Sequence, residues 1–545
     1  MTNPTSEQKD FLDKWNRQCS KVEAMAMPAD FRELLDQAAR RYDDRLALLF
    51  IDDEAGLTYA ELRREVYRIA SALHQRGIGK GTHVAVLVPN RIEFPLTWLA
   101  LAVVGAVMVP TNISYTATEL DYLYNDGDVS YLVIDKAMLP AFAGMEDRPA
   151  ALTDDHVFVI DGDDREFPAF ETVVAAGDPD FVPTWKLSGD DLLNIQYTSG
   201  TTGFPKGCMQ TQRYWIVLGT TVAALTPPVR SLLTDHPYFY MDPQWELVWG
   251  LLSGASVYAV GKMSTTRFWD RVRKHDIEWA WFPNPILKHP PRPDDADNPI
   301  RLFAAGAISA GAIAEAEARF NAPVRSAYGM TEIGAGTWVP VDVPGDEILE
   351  TVGLPAPFRE LRIVDERGDD VPDGEPGELV VRGDSIFLGY YKKPDANAES
   401  FYGDWFRTGD MFVRTENGYY KIIGRYKDMI RRSAENISAM EVEHVVREIG
   451  EVADAAAVPV PDDYRGEEVK IYVKLKDGYS LDDCGPQQIV AHCRERLAPF
   501  KVPRYVAYLD DVPYTPSNKV AKHVIVAGIN DLRMGAWDEQ DKVWL

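Results

Sequence analysis

One segment of this 545-residue sequence concentrates groups able to hold phosphate. Tyr197-Thr-Ser-Gly-Thr-Thr-Gly-Phe-Pro-Lys-Gly207 places four Ser/Thr hydroxyls, three glycines and one lysine within eleven residues. Glycines let successive backbone N–H groups converge, and hydroxyls and an ammonium add further donors, so the pattern suits an anion with several oxygens. It is not a Walker loop, which requires Gly-Lys-Ser/Thr, because Lys206 lies between Pro205 and Gly207. A flexible polar turn is the competing reading.

An apolar strand, Leu192–Tyr197, must deliver this segment, and the sequence around it alternates strand and helix patterns. Thr58-Tyr-Ala-Glu61 has the spacing of a capping box, and Leu62, Val66, Ile69 and Leu73 follow at helical intervals up to Gly77. His83–Val88 reads as a strand covered on both faces, and Phe94–Val109 as a buried helix running into a strand. Further units at 119–124 and 131–134 continue the alternation, which implies parallel sheets flanked by helices. From Thr351 short apolar runs separated by turns (Leu361–Val364, Glu378–Val381) indicate a small β-rich subdomain. After Gly424 a capping-box spacing at Ser438–Glu441, apolar runs at 455–460 and 470–475 and a helix near 487–497 indicate a compact α+β module. The expected fold class is therefore α/β, with a large multi-subdomain N-terminal region, 1–424, and a small C-terminal domain, 425–545. The Pro-rich patch 283–299 reads as a surface loop.

Composition sets limits on the partners. With 57 basic and 84 acidic side chains the net charge is −27, which argues against nucleic acid and anionic membrane surfaces but leaves room for polyanionic small molecules met by a few local cations. The four cysteines show no CxxC pairing and the nine histidines no HExxH, so a disulfide framework or zinc site is not expected. MTNPTSEQKD has no apolar signal core, and Pro95, Thr97 and Gly105 interrupt the most hydrophobic stretch, so the expectation is a cytoplasmic protein without membrane insertion.

The phosphate-binding segment resembles the signature of the adenylate-forming superfamily, and further motifs follow in that superfamily's order over roughly residues 30–525. Ala305-Gly306-Ala307 is similar to the small-residue turn bordering adenine. Tyr328-Gly329-Met330-Thr331-Glu332 matches the motif whose Tyr stacks on adenine, whose Thr touches the α-phosphate and whose Glu helps hold Mg²⁺. Arg407-Thr-Gly-Asp410 matches the segment whose Asp binds the ribose hydroxyls. Gly424-Arg425 resembles the opening of the family's hinge, which would put Arg425 also at the ribose and Lys427 at the pivot, and Pro513–Lys519 resembles the motif that carries the catalytic lysine, here Lys519. The resemblance implies ATP contacts from Thr198, Ser199, Gly200, Thr201, Thr202 and Gly203, a metal role for Thr198 and Glu332, and catalytic roles for Thr198, Lys206, Glu332 and Lys519. Taken singly, Tyr328 reads equally as core, Asp410 as a turn former and Lys519 as a solvated loop residue.

The implied chemistry is that of an AMP-forming acyl-CoA synthetase: a carboxylic acid, ATP and Mg²⁺ give an acyl-adenylate, and CoA then takes the acyl group. In members of that superfamily the small domain rotates between the steps. Arg431 and Arg432, with Ser433 and Ala434, stand where CoA would pass, although a solvated hinge also explains the two arginines. Three positions depart from the common pattern: Ser433-Ala434 replaces Gly-Gly, Asn518 replaces the Gly before the lysine, and Tyr240 replaces the His of the aromatic motif His236-Pro-Tyr-Phe-Tyr240. Tyr238, Tyr240, Trp245 and Trp338 are expected to line the acyl pocket. That enclosure suits a small polar, betaine-like or aromatic acid, and the stretch through Phe268-Trp269 most resembles crotonobetaine/carnitine-CoA ligases. Helix packing by Trp245 and Trp249 is the alternative. Loading of a carrier-protein thiol, a luciferase-like oxygenase and a non-catalytic adenylate-binding relative are the alternative functions, and a homodimer is one possible assembly.

Overall fold

The Thr58 capping box forms as its spacing requires. Thr58 accepts from the backbone of Glu61 while Glu61 Oε2 accepts from the backbone of Thr58 at 2.9 Å, starting the helix Tyr59–Gln75. Leu62, Val66, Ile69 and Leu73 are buried along one face of that helix. A second box at Thr116 and Glu119 starts the helix Ala117–Asp126. The hydrophobic stretch resolves into the helix Glu93–Val104, packed in the main core, and the strand Val107–Pro110, which puts Met108 in that core and Val107 and Val109 in a second cluster on its other face. These details come from a computed structural model, which describes residues 6–198, 205–306, 308–343, 347–425, 429–432, 435–462, 465–497, 499–514 and 520–545.

The chain divides into two units, 1–361 with 381–406 and 416–420, and 362–380 with 407–415 and 421–545. The first unit holds two large sheets. A six-stranded sheet runs in the order 157–160, 131–135, 83–87, 107–110, 192–198, 206–211. It is parallel until its last pair, where Leu192–Thr198 meets Lys206–Thr211 antiparallel and Thr198 lies opposite Lys206. A nine-stranded sheet has the parallel strands Leu302–Ala305 and Val324–Met330 side by side, with Gly334–Trp338 added antiparallel. Another five-stranded sheet includes the strand Trp405–Arg414.

In the second unit a seven-stranded sheet is built around the antiparallel pair Val452–Asp462 and Gly466–Leu475, with the helices Ala439–Arg447 and Pro486–Arg496 sharing its apolar core. The Ser438 box is only half realised. Ser438 caps the backbone of Glu441, but the Glu441 carboxylate pairs with Lys501 at 2.7 Å, because Ser438 is already the last residue of a strand laid against Met429. The Pro-rich patch is also better anchored than a surface loop. It includes a short helical turn, Asn284–Lys288, and Asp295 is 3% exposed beneath Arg319, 2.6 Å away. Among the described residues no helix is long and apolar enough to cross a membrane.

Candidate active site

The phosphate-loop hairpin is closed at both ends by tyrosines. Tyr197 donates its hydroxyl to Asp126 Oδ2 at 2.8 Å, and Tyr122 donates to the carbonyl of Pro205 at 2.9 Å. Ser199, Gly200, Thr201, Thr202 and Gly203 lie outside the described residues; Thr198 and Lys206 stand opposite each other at the two edges. One residue inward, Gly207 leaves no room for a side chain, since a Cβ there would come within 2.4 Å of Ile195 Cγ2.

Cys208, next along the strand, is fully buried and its thiol neighbours both Thr198 and Glu332, so these two candidates share one neighbourhood. Burial and the Glu332 charge hold the Cys208 thiol well above its usual range, which keeps it protonated and unreactive. Glu332 is 6% exposed and its Oε1 accepts a 2.9 Å hydrogen bond from Tyr390. Thr331 is fixed through its carbonyl, which accepts from Gln210 at 2.8 Å and from the Tyr214 hydroxyl at 3.0 Å.

Ala305 and Gly306 end a parallel strand whose neighbour carries Tyr328, two residues past the Ala305–Ser326 pair. Both adenine candidates therefore sit at the same carboxyl-terminal edge, where parallel sheets present ligand sites. Ala307 lies outside the described residues. Tyr328 is 8% exposed and its hydroxyl donates to Met330 Sδ at 3.0 Å. Gly329 is required by the turn back to the next strand, because a Cβ there would meet the Gly334 carbonyl oxygen at 2.6 Å.

The aromatic motif is braced by a relay of amides. Trp98 donates to Asn194 at 2.9 Å, Asn194 to Gln244 at 2.7 Å, and Gln244 to the carbonyls of Tyr238 and Tyr240 at 3.0 Å each. Tyr238 is entirely buried, its ring 5.8 Å from those of Phe50 and Phe94, whereas Tyr240 is half-buried and its hydroxyl contacts Asn112. Trp245 packs edge-on against Trp279 at 5.8 Å and Trp281 at 6.2 Å, and Trp338 pairs with Ala327 beside the Tyr328 strand. Beneath Trp245 the carboxyl of Glu246 has no solvent exposure. Thr234 donates to its Oε2, and Trp281 donates to its Oε1 at 2.8 Å. Burial, with Asp242 nearby, raises Glu246 well above the carboxylate range. Burial alone would lower His236, but Asp235 at 3.0 Å, together with Asp242 and Glu246, pushes it up to about 9.

In the second unit Asp410 is 4% exposed, and its N–H donates to Thr408 Oγ1 at 3.1 Å. Glu378 organises this turn by accepting from Arg407 at 2.7 Å and from the Gly409 N–H at 3.1 Å, with Gly409 at φ +70°. Arg432 is bound to Glu468, which has no exposure, at 2.5 Å, and also donates to the Phe500 carbonyl at 3.2 Å. Lys427, Ser433, Ala434 and Lys519, and the side chains of Arg425 and Arg431, lie outside the described residues.

Sequence reasoning passed over Gln210, Gln244, Cys208 and Tyr390. The first three stand among polar neighbours that give them no distinguishing signal, and Tyr390 reaches Glu332 only through the fold. Among the described residues no group of three or more His, Cys, Asp or Glu could hold a metal by itself. One carboxylate and one neighbouring hydroxyl do suit Mg²⁺, which keeps several waters and takes its remaining ligands from substrate phosphates.

Crotonobetaine/carnitine–CoA ligase of Proteus mirabilis is 30% identical over 521 residues, covering 90% of this chain and 98% of its own length. Sulfoacetate–CoA ligase of Cupriavidus necator is 31% identical over 502 residues, covering 90% and 96%. Among solved structures, ATP-bound MatB from Rhodopseudomonas palustris matches with a TM-score of 0.80 at 27% identity, covering 90% of this chain and 97% of its own. The description of an AMP-binding enzyme fits residues 35–391 and that of an AMP-binding enzyme C-terminal domain fits residues 441–519, so this chain belongs to the AMP-binding enzyme family.

Proposed function

We propose that this protein is an ATP-dependent, AMP-forming carboxylate–CoA ligase acting on a small polar, betaine-like or aromatic acid. The observation that carries the reading is the convergence of Thr198, Lys206 and Glu332 around Cys208 and Tyr390 at the rim of the phosphate-loop hairpin. That grouping supplies a cation and a hydroxyl for phosphate oxygens and a carboxylate for a metal. The CoA ligases among its relatives support the acceptor.

In the first step a carboxylate oxygen attacks the α-phosphorus, the bond to pyrophosphate breaks, and acyl-AMP forms. Charge gathers on the phosphorane oxygens, where Lys206, Thr198 and Lys519 stabilise the transition state more than bound ATP. Mg²⁺, held by Glu332 and Thr198, would neutralise phosphate charge when bound. Tyr328 and the Ala305–Gly306 edge receive adenine, Thr331 the α-phosphate, and Asp410 with Arg425 the ribose. In the second step the CoA thiol, losing its proton to solvent, attacks the acyl carbonyl and AMP departs. Arg431, Ser433 and Ala434 are assigned to CoA by the family's motif, and Arg432 is tied to buried Glu468 beside them in sequence. The edge-packed rings of Trp245 and Trp281 favour a compact acid with an aromatic or cationic end.

The test is purified protein with ATP, Mg²⁺, CoA and an acid panel spanning betaines, short aliphatic acids and aryl acids. Acyl-CoA and AMP formed with free CoA support the proposal. AMP release that requires a phosphopantetheinyl protein overturns the CoA acceptor, and no carboxylate-dependent pyrophosphate release overturns the ligase.

A further inference from the structure

We propose that Tyr390 is a positioning residue for adenylation, one side chain that sets Lys206 and Glu332 in place relative to each other. The inference rests on the reading of those two residues given above. Residues 388–391 lie along the strand that leaves the phosphate loop. Leu388 N–H donates to the Met209 carbonyl at 2.8 Å, Met209 N–H to the Gly389 carbonyl at 3.0 Å and Tyr391 N–H to the Gly207 carbonyl at 2.8 Å, with Tyr390 opposite Cys208. Asn397 then clasps Tyr390 from both sides: its Oδ1 accepts from the Tyr390 N–H at 2.6 Å, and its Nδ2 donates to the Tyr390 carbonyl at 2.9 Å. A backbone held at both polar groups leaves the side chain little freedom.

That side chain touches both charged candidates. The Tyr390 hydroxyl donates to Glu332 Oε1 at 2.9 Å, and the Lys206 ammonium lies 5.0 Å from its ring centroid, within cation–π range. Phe387 also donates its N–H to the Glu332 carbonyl at 2.8 Å, so the same segment grips Glu332 at its backbone and its carboxylate. Ring and hydroxyl act on opposite charges through opposite ends of one rigid group. The hydroxyl orients the carboxylate for a cation, and the ring face steadies the ammonium without removing its charge. Partners of this kind orient metal ligands and tune their affinity.

Tyr390→Phe keeps the ring and removes the hydroxyl. The Mg²⁺ concentration for half-maximal carboxylate-dependent ATP–pyrophosphate exchange should rise about 10–100-fold, with a smaller fall in rate at saturating metal. Mn²⁺ binding to enzyme plus ATP, read by electron paramagnetic resonance of the free ion, should weaken in parallel. Tyr390→Leu, which also loses the ring, should raise the KM for ATP beyond that of the Phe variant. With Glu332→Gln already present, adding Tyr390→Phe should change Mn²⁺ binding by less than threefold, because the hydroxyl acts through that carboxylate. Wild-type Mg²⁺ dependence and Mn²⁺ binding in a folded Tyr390→Phe variant would overturn the proposal. A wild-type protein that binds Mn²⁺ with ATP but performs no exchange would instead overturn the ligase reading, and the binding comparison would still decide the role of Tyr390.

Discussion

Gln210 and Thr331 are 121 residues apart, yet the amide of one donates to the backbone carbonyl of the other at 2.8 Å. The bond ties the strand leaving the phosphate loop to the motif assigned to the α-phosphate, so two ends of one substrate group are referenced to each other. Gln210→Leu keeps the volume but removes the donor, leaving Tyr214 as the partner of that carbonyl. A loss of about 1–2 kcal/mol in stability is expected, together with a KM for ATP that rises more than the KM for the acid. Denaturant melts and initial rates at varied ATP measure both, and an equal rise in the two KM values would remove the assigned role.

The buried Glu246 makes stability depend on pH. Its folded-state affinity for a proton is raised by burial, whereas in the unfolded chain it ionises near 4.5. Above that pH the unfolded state binds fewer protons than the folded one, so stability falls as pH rises until the raised value is passed. Glu246→Gln should flatten this part of the curve. His236 acts with the same sign at higher pH: its contribution is complete below about 6.5 and is lost as pH rises through about 9. His236→Asn should therefore flatten the stretch between them. Thermal melts across pH 4–10 on both variants and the parent check the two slopes separately.

Arg432 tests whether a cation near the thiol path is spent on structure. Its guanidinium pairs with Glu468, which has no solvent exposure. Arg432→Ala removes the nearest partner of a buried carboxylate, leaving it Arg465 at 3.4 Å and Arg504 at 3.9 Å, and should cost about 1.5–3 kcal/mol, with partial recovery when Glu468 is also replaced by Met. Urea unfolding of the single and double variants reads this directly. An Arg432→Ala variant with full stability and a raised KM for CoA would mean that the arginine serves the cofactor instead.

Lys519 should matter to one half-reaction only. Lys519→Ala is expected to lower carboxylate-dependent pyrophosphate exchange by at least about 100-fold, while pre-made acyl-AMP plus CoA still yields thioester, because the role proposed for the lysine is confined to the α-phosphate. Exchange at the parent rate would refute its role.

The sequence by itself determined many local elements and carried the motifs of the family. The capping box at Thr58, the apolar period of the helix after it and the strand that delivers the phosphate segment are short-range effects that neighbouring residues set among themselves. The tertiary structure decided which polar residues serve that chemistry from a distance. Tyr390 and Glu332 are 58 residues apart, and only the backbone pairing of 388–391 with the phosphate-loop strand brings the hydroxyl to the carboxylate. The relay from Trp98 through Asn194 and Gln244 to the aromatic motif is equally non-local. It also took the fold to separate Tyr238, sealed between Phe50 and Phe94, from Tyr240, half-buried two residues on. Burial is a property of everything packed around a side chain, so residues of one type in one motif meet different solvent and can be told apart only after the chain has closed on itself.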